Sequence, residues 1–146
     1  QLYAIERCNS MKCIYEQEFE MTFDWVIRSR FDFAINVRIP FDELDNSKLY
    51  IPNCRMVPTR DFGNDQFAFS SSENMDDYAA AYHWIDTFYN SGVQYMCEDF
   101  MSANWKRAGL VGEKLMYCDI NHPFPPGEYN GTPHSLIRED FEKWLK

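Results

Sequence analysis

The sequence predicts an α/β fold: a single domain over residues 1–146, with a central mixed, mostly parallel sheet flanked by helices. Three observations carry this. Short β-rich runs, at 24–31, "LYIPN" (49–53), "QFAFS" (66–70) and "KLMYCDI" (114–120), alternate with longer stretches of helical period. Helix-capping residues stand where those stretches begin and end. The chain has 146 residues, 45% of them hydrophobic, so folding removes roughly two-thirds of its surface from water without a covalent staple.

Taken in order, "LYAIERCNSMKCIYEQEF" (2–19) places Leu2, Ile5, Cys8, Met11 (or Lys12) and Tyr15 at helical spacing, an amphipathic helix expected to pack on the sheet. "FDELDNSK" (41–48) is rich in turn residues and reads as a loop. Ser70, followed by Glu73 three residues on, forms the signature of a capping box for a helix running to about Tyr89 and closed by "NSG" at 90–92. "CEDFMSANWKRA" (97–108) has acids in its first turn, bases in its last and Gly109 as its stop. "NHPFPPGEYNGTPHS" is loop, and "LIREDFEKWLK" a short terminal helix.

Composition narrows the function. With 23 acidic against 14 basic residues the net charge is −9, a field that disfavours general nucleic-acid binding. The apolar runs are too short to span a bilayer, and five cysteines without a C-x-x-C pair argue against a zinc cluster or disulfide framework. Reduced thiols in a cytoplasmic setting are the simplest account. The first residue is Gln1 rather than Met and helical period begins at once, so a missing N-terminal portion is expected.

Charge is unevenly placed. Arg28, Arg30, Arg38, Arg55 and Arg60, five of the eight arginines, fall between residues 28 and 60. A planar guanidinium fork suits phosphate or carboxylate, so this stretch points to a small anionic ligand; ion pairs with Asp42, Glu43 and Asp45 are the structural alternative. Within "FDWVIRSRFDFAINV" (23–37), Arg28, Arg30 and Asp32 recur at every second position and so share one face of a strand, roughly 6–7 Å apart. Asp32 is placed to hold a hard divalent cation bridging to phosphate oxygens, with the arginines on the same phosphates. The competing view is a solvated strand face on which Arg30 and Asp32 neutralise each other.

The words "FDWVIRSRFDFAI", "KLYIPN", "NDQFAFSSSENMDDYAAAYHWI" and "CEDFMSANWKRAGL", in this order over about residues 1–120, resemble a family of glycosyltransferase-like proteins of viruses and marine microbes. The resemblance implies a partial nucleotide-diphospho-sugar transferase fold of glycosyltransferase-A type, lacking N-terminal strands. In that fold an acidic D-x-D word holds a divalent metal, Mn²⁺ or Mg²⁺, and the diphosphate of the donor. Here the word reads "RFD", with Arg30 in place of the first acid and Asp32 as the second. The resemblance further implies Asp65, Glu98 and Asp99 as candidates for the general base or the acceptor contact, and His122 as a second metal ligand. Each has a structural alternative: an Asx turn at Asp65, helix-dipole pairing at Glu98 and Asp99, and a proline-stiffened loop around His122. His83 reads as a surface or packing residue, and His134 has no evident partner.

The expected activity is transfer of a sugar from a nucleotide-sugar donor to a hydroxyl of a glycan acceptor. The alternative is a non-catalytic module of the same fold, serving as a carbohydrate-binding or interaction subunit. No nucleic-acid partner and no membrane segment are expected.

Overall fold

A computed structural model describes residues 1–31, 39–52 and 66–115. Its elements are helix α1 (Leu2–Glu18), strand β1 (Val26–Ser29), a 3-10 turn (Phe41–Glu43), β2 (Leu49–Pro52), β3 (Phe67–Ser70), α2 (Ser72–Ala79), a 3-10 segment (Ala80–Trp84), α3 (Ile85–Asn90), α4 (Cys97–Ala108) and β4 (Gly112–Leu115). The four strands form one mixed sheet in the order β1-β3-β2-β4. β3 runs antiparallel to both β1 and β2, while β2 and β4 are parallel. Among the described residues, therefore, the sheet is α/β and mixed as expected, but two of its three pairings are antiparallel and the expected parallel majority is not met.

Alternation along the strands divides the core into two layers. Leu49, Ile51 and Ala68 face the helices, where they pack with Ile5, Met75, Tyr78, Phe88, Phe100 and Met101. Tyr50, Phe67 and Phe69 point to the opposite face and meet Trp25, Ile39, Phe41 and Leu44. With both faces covered, β2 and β3 read as unbroken apolar runs in the sequence, as doubly buried strands do. Tyr50 and Phe69 stack at 5.0 Å, and Trp25 and Phe41 approach Phe69 at 5.7 and 5.4 Å.

Ser70 does not cap α2. It is wholly buried at the end of β3, where its hydroxyl donates to Lys48 O at 2.8 Å and accepts from Asn74 Nδ2 at 2.9 Å. The cap is Ser71, whose hydroxyl accepts from Asn74 N–H. The predicted helix to Tyr89 is also interrupted: α2 gives way to the 3-10 segment at Ala80 before α3 resumes. Asn104, wholly buried on α4, donates through Nδ2 to Asp77 O at 2.7 Å and Tyr78 O at 3.2 Å. These carbonyls are among the last of α2, and a side chain from another helix satisfies them at the break. Gly92, with φ +87°, follows α3 as the "NSG" signal requires.

α4 spans the predicted residues 97–108 and closes in a Schellman turn: Gly109 has φ +71°, with Leu110 N–H bonded to Trp105 O and Gly109 N–H to Lys106 O. α1 departs further from its expectation. It lies against α2 and the 3-10 segment. Only Leu2 and Ile5 of its predicted apolar face are buried, while Cys8, Met11 and Tyr15 are exposed.

Candidate functional site

β1 is an edge of the described sheet, and α1 lies across from it. Between them, floored by α2, is a cleft of about 660 Å³. Ile5 and Cys8 of α1, Val26 and Ile27 of β1, and Met75 and Tyr78 of α2 supply apolar wall. Its charged lining is Lys12, Arg28 and Arg30, and Phe31 stands at the mouth, fully exposed. A cationic cleft in a chain of net charge −9 is a local inversion of the overall field.

Backbone register explains how Arg28 comes to lie here. It pairs with Ala68 across the β1–β3 ladder, so it points to the helix side of the sheet, opposite a methyl group that leaves room beside it. Its Nη1 is buried and has no hydrogen-bond partner among the described residues. A guanidinium donor withdrawn from water without an acceptor is costly, by about 1–3 kcal/mol or more. Arg30 follows two residues on and lines the same cleft, as the alternating pattern predicts. The strand itself, expected over 24–31, is confined to Val26–Ser29, and Arg30 remains tied to the residue just before β3 through its N–H to Gln66 O at 2.9 Å.

The remaining predicted site residues divide in two. Asp32, Asp65 and His122 lie outside the described residues. Glu98 and Asp99 sit in the first turn of α4, favourable to the helix dipole, and neither lines the cleft. Asp99 keeps one buried carboxylate oxygen, Oδ2, without a partner. The structure thus brings Arg28 and Arg30 together and holds Glu98 and Asp99 apart from them.

The fit of a divalent metal can be judged on the donors present. Mn²⁺ or Mg²⁺ asks for carboxylate or other oxygen ligands, whereas the cleft's charged side chains among the described residues are all cations. Among the described residues no group of three or more His, Cys, Asp or Glu side chains converges. Asp32 and His122, the two predicted metal ligands, lie outside the described residues, and the charge that the described lining offers a phosphate is that of its cations.

Sequence reasoning missed Lys12. Its side chain is only 10% exposed and is held by four oxygens: Glu16 Oε2 at 3.0 Å, Asp76 Oδ1 at 2.7 Å, and the hydroxyl and carbonyl of Ser72. Asn9 Nδ2 donates to the same Asp76 oxygen at 2.7 Å and Cys13 Sγ at 3.1 Å. Glu16 also accepts from Phe23 N–H at 2.9 Å. The Lys12–Glu16 spacing of four is the one local signal; Asp76 is 64 residues away.

Burial lowers the pKa of Lys12, but hydrogen bonds to Asp76 and Glu16 and the Asp76 charge outweigh it, so the amine is held above its ordinary value. Burial likewise raises Glu16 and Asp76. For Glu16, bonds from Ser72, Phe23 N–H and Lys12 prevail; for Asp76, bonds from Lys12, Asn9 and Cys13 do, and both acids end below their usual range. Cys13 is pushed up by burial and then by its bond to Asp76.

The Ser72–Lys12 contact has the composition of a nucleophile and its base. It lacks the protonation state: an amine with a raised pKa has no lone pair at neutral pH, and Ser72 is buried. The cluster is a clamp joining α1 to the start of α2, and its pH dependence follows from the signs. Depressed carboxylates contribute stability above their unfolded pKa values near 4 that is lost as pH falls through the lower folded values. A raised lysine contributes below its unfolded value near 10.4, and that part is lost as pH rises beyond it. Urea midpoints measured from pH 2 to 11 are expected to form a plateau through neutrality with declines at both ends. In Lys12→Met the alkaline decline shrinks; an unchanged profile would show that the clamp does not couple to folding.

No protein-family model, curated protein or solved structure matches the chain. Among the described residues no helix is long and apolar enough to cross a membrane.

Proposed function

We propose that the chain is a glycosyltransferase-like domain that receives the diphosphate of a nucleotide-sugar donor in the cleft between α1 and β1. Arg28 lines that cleft, and its buried Nη1 has no acceptor among the described residues; this is the observation that carries the reading. A diphosphate oxygen supplies the missing acceptor, and a charge-assisted bond to it is about twice as strong as a neutral one. In sugar transfer the bond from the anomeric carbon to the diphosphate breaks and negative charge grows on the leaving group. Cations already fixed at that position stabilise the transition state more than the ground state. Arg28 and Arg30 are the described residues suited to this role, whereas the charge of Lys12 is taken up by Glu16 and Asp76 in its clamp.

A non-catalytic module built on the same cleft is the second reading. The placement of Glu98 and Asp99 away from the cationic lining favours it, because an acceptor hydroxyl needs a base beside the donor. The two readings share binding and part at turnover.

Titration calorimetry with inorganic pyrophosphate and with common nucleotide sugars is expected to show saturable binding. Exposed Cys8 lines the same cleft, so bound ligand is expected to slow its alkylation, read peptide by peptide in a mass spectrometer. Binding without Cys8 protection would place the ligand elsewhere, and no binding of any of these anions would end the proposal. Release of free sugar or of a glycosylated product separates an enzyme from the non-catalytic module.

A further inference from the structure

We infer that Phe31 is a ligand-contacting residue, a stacking platform for the nucleobase of a nucleoside diphosphate whose phosphates lie on Arg28 and Arg30; this rests on the cleft reading above and names the part of the ligand that reading leaves open. A single exposed apolar side chain is ordinary on a protein surface. Phe31 differs from such a residue in where it stands. It directly follows Arg30, it lines the mouth of the cationic cleft, and its ring is fully exposed. The other aromatic ring in the lining, Tyr78, is wholly buried and lies 6.2 Å from Trp105 in a stacked arrangement. Of the described lining residues, Phe31 therefore has the accessible aromatic face.

The ligand chemistry follows from the neighbours. Guanidinium groups one strand-pleat apart take phosphates, and a ring adjacent to them presents a π face that any purine or pyrimidine can cover. Base stacking on an aromatic side chain tolerates different bases, because it reads the face of the ring and not its edge. The predicted ligand is thus a planar heteroaromatic ring joined to a diphosphate, bound with little preference among bases.

The test compares pyrophosphate, ADP and UDP by calorimetry on the full chain, for the parent protein, Phe31→Ala and Phe31→Trp. The parent is expected to bind both nucleotides more tightly than pyrophosphate. Phe31→Ala is expected to weaken ADP and UDP tenfold or more while pyrophosphate affinity and melting temperature stay unchanged, and Phe31→Trp to restore nucleotide affinity. Equal loss for all three anions in Phe31→Ala, or no loss for the nucleotides, overturns the stacking role while leaving the cleft reading intact. Failure of the parent protein to bind pyrophosphate as well as the nucleotides overturns both.

Discussion

Replacing Arg28 with methionine is expected to weaken pyrophosphate and nucleotide binding roughly 10- to 150-fold and, at the same time, to leave the unliganded protein as stable as before or more so. The two halves have one cause. Nη1 of Arg28 is buried without an acceptor among the described residues, so in the empty protein it is a cost of about 1–3 kcal/mol. In the complex it becomes a charged hydrogen bond, worth about 1.5–3 kcal/mol and so roughly 10- to 150-fold in affinity. Methionine keeps an unbranched apolar stem in a cleft also lined by Val26 and Met75, and removes the unsatisfied donor. Paired melting curves and titrations decide the matter: a lower melting temperature with unchanged affinity would make Arg28 a structural residue and remove the basis of the proposed function. Losing affinity at no cost in stability is the pattern of a site whose strain is held for a ligand.

Phe69→Ala is expected to cause the largest loss of stability among substitutions in the aromatic layer. Phe69 is wholly buried and stands between Tyr50, Trp25, Phe41 and Phe67, at ring separations of 5.0 to 5.7 Å. Truncation removes its transfer free energy and leaves a cavity among rings fixed by the sheet, at about 3–5 kcal/mol. That is a large share of the roughly 5–15 kcal/mol that holds a domain folded. In urea the midpoint should fall steeply, whereas Phe69→Leu, which retains most of the volume, should lose less than half as much. A loss below about 1 kcal/mol for the alanine variant would show that the second face of the sheet is not a packed core. The prediction also bears on the cleft, since Phe69 pairs with Ile27 on the β1–β3 ladder that holds Arg28 in register.

One part of the cleft lining, the pair Arg28 and Arg30, was legible because its signal is local. Arg28 and Arg30 share a cleft because residues two apart in a strand face the same way, and that regularity needs no knowledge of the partner strand. Lys12 was not legible in the same sense: its main partner, Asp76, is contributed by another helix. Cys8, Met11 and Tyr15 are exposed for a related reason: the side of the second half of α1 that meets α2 is polar, with Asn9, Lys12 and Glu16 held by groups that only the fold brings to them. Glu98 and Asp99 were read correctly as first-turn acids of α4 and are not gathered with the arginines.

By itself, the order of residues determined the existence and kind of most elements: α4 with its glycine stop, the loop at 41–48, and the doubly buried strands β2 and β3. These rest on backbone preferences and side-chain periods that act within a few residues. Only the tertiary structure decided the antiparallel pairing of β3, the shift of the α2 cap from Ser70 to Ser71, the break answered by Asn104, and the isolation of a guanidinium nitrogen in a cleft. Each of these depends on which group from a distant part of the chain arrives to fill a space or satisfy a charge. Such matches are set by packing of the whole fold and leave no periodic trace in the sequence.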